Sequence, residues 1–237
     1  MSILHGNDAR VYLDGYDISA VMNKISPKSE VDLHKHAVMD SSGGYHHYRG
    51  LAKDEVSFEA LGDDGDLKTV LDALWAAAPG AQLMIAYKSL AGKPGYAADE
   101  VKIKTQDWSA VSTDLNKIKA NFVTEDIPFD ECLILMAKAT QVAGGNGASL
   151  DNAAESTNGL TAYMQVFEIT GGGTLTVSLE HSVNGSTGWD PLAVAFAAAT
   201  GRTTERILNT GTIRRYLRAS WTLTAGTATF AIMVKRT

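Results

Sequence analysis

The sequence predicts a mainly β protein, and three observations predict it. Short runs with apolar residues at every second position recur along the chain, Gly-rich turns separate them, and only one segment carries the 3.6-residue spacing of a helix. The expected architecture is an N-terminal β-sandwich or barrel with one flanking α-helix, followed by a small antiparallel β-sandwich.

In chain order, Val11 and Leu13, then Val31 and Leu33, stand at spacing two. The run DEVSFEAL turns Val56, Phe58 and Ala60 to one side and Glu55, Ser57 and Glu59 to the other, the alternation of a half-buried strand. In GDDGDLKTVLDALWAAAPG, Asp63, Asp64 and Asp66 stand at a helix start, where carboxylates favour the exposed N–H groups. Leu67, Val70, Leu71, Leu74 and Ala78 then share a face, and Pro79-Gly80 is the stop. AQLMIAYKS, DEVKIKTQDW and NKIKANFVTE supply further strands, the last two with lysines at alternate positions.

Gln141 to Gly159 is rich in Gly, Ala, Ser and Asn and poor in large apolar side chains, the composition of a linker. Domains are therefore expected at 1–141 and 159–237, joined by a linker over 142–158 and each burying its own core. In the second, GLTAYMQVFEIT, GGTLTVSLEHS, RRYLRASWTLTA and GTATFAIMVKR alternate with short turns, the pattern of an antiparallel sandwich. Leu175, Val177 and Leu179 make one core face and Leu217, Ala219, Trp221 and Leu223 another; Arg214, Tyr216 and Arg218 look the other way.

Composition narrows the function. At 237 residues with 45% apolar and 20% charged side chains, the chain is expected to fold throughout apart from linkers. Its start, MSILHGNDARVYLDG, has no signal-peptide pattern, and no apolar run is long enough to span a membrane, so synthesis and retention in a cytosol are expected. Cys132 is the one cysteine, which rules out an internal disulfide and a cysteine-based zinc site; its CLILM setting suggests an inert thiol. Net charge is −6, with 14 Lys+Arg against 21 Asp+Glu in residues 1–142 and 7 against 6 in the remainder. Such a chain is poorly suited to binding nucleic acid, which relies on Lys and Arg displacing counterions.

No catalytic signature survives inspection. His34 and His36 share one face of a strand, but a stable metal site needs further ligands held in place, and His46-His47 lies in a Gly-Gly loop; solvated or interface histidines are the plainer reading. NGSTG at 184–188 lacks the spacing of a nucleophile elbow, and GGNGAS at 144–149 lacks the Lys-Ser/Thr of a phosphate loop. The pairs Asp63-Asp64, Asp99-Glu100 and Glu125-Asp126 sit where caps and polar turns are expected. Arg202, Arg206, Arg214, Arg215 and Arg218 form the main basic concentration, read as a solvent or subunit-contact face. Trp189 and Tyr163 would be the aromatic platforms of a carbohydrate-binding module, which remains open as an alternative.

With catalytic, metal and cofactor sites all expected to be absent, residues 8–80 matter most. DARVYLDGYDIS, the strand SEVDLHKH, the loop DSSGGYHHYRGL, the strand KDEVSFEAL, the GDDGD turn and LKTVLDALWAAA together resemble the tail tube proteins of long-tailed bacteriophages. The resemblance implies a structural virion protein, assembled in the bacterial cytoplasm as hexameric rings that stack into the tail tube. DNA would pass through the lumen without specific binding, and the partners would be further copies and other tail proteins such as tape measure, terminator and distal tail proteins. No membrane anchor is implied. The second domain resembles the Ig-like modules that decorate such tubes. The loop residues Asp40, Tyr45, His46, His47, Tyr48 and Arg49 take the part of an inter-subunit arm, with side chains of a kind interfaces favour. A tail terminator or head–tail joining ring is the related alternative.

Overall fold

The structure is a computed structural model that describes residues 8–37, 45–61, 80–109, 117–124 and 128–236. Its strands are β1 (Arg10–Leu13), β2 (Tyr16–Asp17), β3 (Met22–Ala37), β4 (Tyr45–Leu61), β5 (Ala81–Ala86), β6 (Pro94–Ser109), β7 (Lys117–Val123) and β8 (Asp130–Gln141). They continue as β9 (Gly145–Asn146), β10 (Leu150–Asp151), β11 (Leu160–Ile169), β12 (Leu175–Ser182), β13 (Asp190–Pro191), β14 (Thr203–Asn209), β15 (Tyr216–Leu223) and β16 (Ala228–Arg236). The mainly β class holds; the helix expected over 63–78 lies outside the described residues.

Two compact units emerge. The first joins Met1–Ala20, Gln82–Asp99 and Asp130–Thr237, and the second joins Val21–Ala81 and Glu100–Phe129. This differs from the expected division at 141 and 159. In the first unit one sheet runs β14-β11-β16-β8-β6-β5-β1-β2, so strands from both expected domains share a single ladder. β8 pairs with β16 along Leu133 to Gln141, and β16 with β11. A second sheet, β10-β15-β12-β13 with β9 also on β15, packs on one face of the first. Leu135, Met164, Val177, Leu217 and Phe230 lie in the core between them, and Trp221 meets Phe230 edge-on at 5.6 Å.

The expected linker is part of this sandwich. Gly145–Asn146 and Leu150–Asp151 both pair with β15. Its glycines serve close packing rather than freedom: a Cβ on Gly144 would fall 3.1 Å from the Trp221 carbonyl oxygen, and one on Gly145 3.3 Å from the Trp221 ring. The Trp221 indole N–H donates to the Ala143 carbonyl at 3.0 Å.

The first sheet also rolls onto itself. Tyr12, Met84, Tyr163, Phe167 and Met233 cluster on the face away from the sandwich core, which leaves Leu160 to Phe167 of β11 buried on both sides. Gln165 stitches the roll: its Oε1 accepts the Gly15 N–H at 3.0 Å, and its Nε2 donates to the Gln82 carbonyl at 3.0 Å. Gly15 closes the β1–β2 hairpin with Asp14, and φ of 78° and 49° at the two residues is what a two-residue Asp-Gly loop supplies. A Cβ on Gly15 would also fall 2.9 Å from the Val166 carbonyl oxygen.

Among the described residues, the second unit forms a four-stranded antiparallel sheet, β3-β4-β7-β6, to which β6 contributes its later part. Val56, Phe58, Ala60, Ala120 and Phe122 are buried on one face, where Phe58 stacks on Phe122 at 4.7 Å. Lys104, Lys119 and Asp107 are exposed, and Lys104 reaches Glu55 at 3.5 Å.

Candidate assembly surface

Of the segment read as a loop over Asp40 to Arg49, the described residues 45–49 are strand. Asp40 lies outside the described residues, while Tyr45 onward belongs to β4 and pairs with β3. In the register Tyr45 stands opposite Ala37, His46 opposite His36, His47 opposite Lys35, Tyr48 opposite His34 and Arg49 opposite Leu33. The hairpin therefore brings all four neighbouring histidines of the sequence into one two-stranded ladder. Polar and aromatic residues without an apolar alternation concealed a strand there, since period-two patterning needs one buried face.

The hairpin is long for its sheet. β4 meets β7 only along Glu55 to Leu61, whereas its pairing with β3 continues out to Tyr45. Among the described residues, the Val31–Ala37 and Tyr45–Ala52 stretches pair with each other alone, and β3 has no partner but β4. Two register irregularities, between Met22 and Lys24 and between Val31 and Leu33, interrupt the ladder, and bulges of this kind bend a ribbon and increase its twist. Its base is pinned by Asp54, which is 3% exposed: the carboxylate accepts the Phe129 N–H at 2.6 Å and the carbonyl accepts the Thr124 N–H at 3.1 Å.

Pro27 is the feature that sequence reading passed over. It is exposed on β3 opposite Val56, between the exposed Lys24 and Lys28. A proline inside a run of strand residues signals an edge, because it has no N–H to give a second neighbour.

The arginines of the first unit are largely spoken for. Arg215 forms a two-pronged bond with Asp151 at 2.7 Å on each arm, holding that carboxyl down at about 2. Arg218 binds Glu180 at 2.7 Å with its guanidinium 4.2 Å from the Trp189 ring centre, and Arg214 pairs with Asp190. Arg202 covers the Tyr16 ring at 3.7 Å, and Arg206 donates to the Tyr163 hydroxyl at 3.3 Å. The basic concentration read as a solvent or subunit-contact face thus consists of arginines engaged in ion pairs, a hydrogen bond and cation–π contacts.

Tyr163 is no sugar platform, being fully buried; its hydroxyl donates to Asp130 at 2.5 Å, while Lys235 binds the other Asp130 oxygen at 2.7 Å. Burial, followed by the Asp130 contact, pushes the Tyr163 hydroxyl far up. Cys132 is 3% exposed and its thiol is likewise pushed far up by burial, which keeps it protonated and unreactive. Among the described residues no group of three or more His, Cys, Asp or Glu is placed to hold a metal ion, and no helix is long and apolar enough to cross a membrane.

No family model and no curated protein matches the chain. Solved structures similar to it include the virion of a native gene transfer agent particle, at 10% identity over 54% of this chain and 98% of that one, with a TM-score of 0.44. The Dit protein of phage SPP1, described as a hub of the adsorption apparatus in phages that infect Gram-positive hosts, is similar at 11% identity, 96% and 99% coverage and a TM-score of 0.39. The baseplate of phage p2 in its activated conformation is similar at 8% identity, 97% and 98% coverage and a TM-score of 0.37.

Proposed function

We propose that this chain is a structural protein of a phage tail, acting without catalysis, whose copies associate into hexameric rings that stack as the tail tube. The observation that carries the reading is the β3–β4 hairpin: the segment that resembles the family's inter-subunit arm is a ribbon whose far part pairs with nothing else described. Unpaired strand edges seek another chain, and repeated association of one chain gives closed rings when the rotation closes. Copies of this chain and other tail proteins are the partners, and the virion is the place of action. DNA would cross the lumen without being held, in keeping with a net charge of −6.

Negative-stain electron microscopy of the purified chain tests this. Long tubes of uniform width are expected. Single rings would favour a terminator or head–tail joining role, and a population of monomers at high concentration would overturn assembly altogether.

A further inference from the structure

Five of the six histidines precede residue 48; the sixth, His181, stands near the end of β12. In the uninterrupted β12–β15 ladder it keeps the parity of the buried Leu175, Val177 and Leu179, so it closes the rim of the sandwich core, where it is half-buried. Its Nδ1 accepts the Arg214 N–H at 3.3 Å, which requires a neutral ring with its proton on Nε2. β13 sets Asp190 directly opposite His181, and the Arg214 guanidinium holds the Asp190 carboxylate. Arg214 therefore binds this strand pair twice, by its backbone N–H to His181 and by its side chain to Asp190. Among the described residues, the charged groups that act on the ring are these two. β15 opposes it with Leu217, and the neighbouring Glu180 and Arg218, on the other parity, bind each other at 2.7 Å. Burial first, then the Arg214 charge, holds the ring below the ordinary histidine range against the pull of Asp190.

We propose that His181 is an acid-released latch on the turn that joins β12 to β13. Protonation converts Nδ1 from acceptor to donor, so the ring and the Arg214 N–H confront each other as two donors, and it adds a cation that competes with the guanidinium for Asp190. The consequence is local. Within residues 183–189 the Asn184 Oδ1 accepts the Ser186 and Thr187 N–H groups at 3.0 and 2.9 Å, so the turn keeps its own shape and moves as a piece. Past β13 the Leu192 N–H donates to the Leu179 carbonyl at 2.8 Å and the Phe196 N–H to the Val177 carbonyl at 3.1 Å, and both side chains are buried. Opening therefore stops at Pro191, and the segment beyond stays on the edge of β12. The direction follows from linkage: a released ring titrates at the ordinary value of 6.5 and takes the proton before the latched ring does, so acid favours opening. The effect begins near that pH and levels off once the latched ring is protonated too. It does not depend on how copies of the chain associate.

Hydrogen exchange of the full chain, read by mass spectrometry from about pH 7.5 to about pH 4 with labelling times scaled for the intrinsic slowing of exchange in acid, tests the latch. Peptides spanning residues 183–191 and 212–216 should exchange about threefold faster at about pH 5 than at about pH 7.5, the worth of one weak hydrogen bond. Peptides from β11 and β16 should not change across the same interval. His181→Asn keeps an acceptor where Nδ1 stood and carries no titratable group, so its turn should exchange slowly at both pH values. His181→Leu removes acceptor and titration together and should exchange fast at both. Equal acceleration in His181→Asn, or none in the natural chain, overturns the latch. An onset below about pH 4.5 overturns it as well, because carboxylates titrate there and the release would belong to Asp190. Should His181→Asn fail to fold, His181→Leu decides: fast exchange at both pH values upholds the latch, and slow exchange at about pH 7.5 overturns it.

Discussion

At the scale of single residues, the clearest demand falls on Gln165. It is fully buried and is held by the Gly15 N–H and the Gln82 carbonyl, so replacing it with methionine keeps the volume and orphans the Gly15 N–H of the β1–β2 turn, while the Gln82 carbonyl keeps the Asp14 N–H. Gln165→Met should lower unfolding free energy by about 1–3 kcal/mol, read by chemical denaturation, the cost of one abandoned buried group. Asp151 gives a gentler, pH-dependent signal. Hydrogen bonds from Arg215 hold its carboxyl at about 2 against an ordinary 3.8, so its contribution is complete above about pH 4 and is lost as pH falls through 2. Arg215→Gln should therefore be less stable than the natural chain at neutral pH, with the gap narrowing between pH 4 and 2; a gap constant across that window would assign Arg215 a packing role instead. Because both groups are solvent-exposed, added salt should shrink the gap too.

Secondary-structure elements show where the sequence spoke plainly and where it did not. Strands with one buried face were legible, as Val56, Phe58 and Ala60 of β4 and Leu175, Val177 and Leu179 of β12 are all buried. β5 and β11 have both faces buried, and alternation cannot announce that. Glycine misled: in 144–147 it marks close approach to Trp221 and Ala219, which only the folded neighbour reveals. The segment that resembles an inter-subunit arm was read as a loop, because Tyr45 to Arg49 lack the apolar rhythm by which a strand is recognised. Shortening that ribbon separates folding from assembly. Excising residues 31–52 and joining Glu30 to Lys53 through Asn-Gly places a two-residue turn across a directly opposed pair. The β4–β7 ladder from Glu55 and the Phe58–Phe122 stack are untouched, so the melting temperature should move by only a few degrees. Tubes should disappear from electron micrographs of this variant; tubes of normal length would place the inter-copy contact elsewhere.

For the whole molecule, the decisive fact is that chain order and compact units do not coincide. β8 ends at Gln141, where a linker was expected, yet its ladder partner is β16, the last strand described. Cutting after residue 141 would strip β16 from β8 and remove β11, β12 and β15, leaving Leu135 and Met136, which are 1% and 8% exposed, without the sandwich core around them. It would also remove Gln165, the side chain that ties Gly15 and Gln82 together across the roll. Removing long-range strand partners leaves apolar surface and open edges together, the conditions for aggregation. Residues 1–141 alone should therefore be insoluble or lack a cooperative melting transition, and residues 142–237 should fare no better, because β16 would present an unpaired edge where β8 belongs. Mixed in equal amounts and refolded together, the two pieces should recover a single transition by restoring the β8–β16 ladder, as noncovalent halves of one sheet. Circular dichroism melting of each piece and of the mixture reads this out, and a sharp independent transition from residues 1–141 would mean that β1, β5, β6 and β8 hold together without the strands that follow.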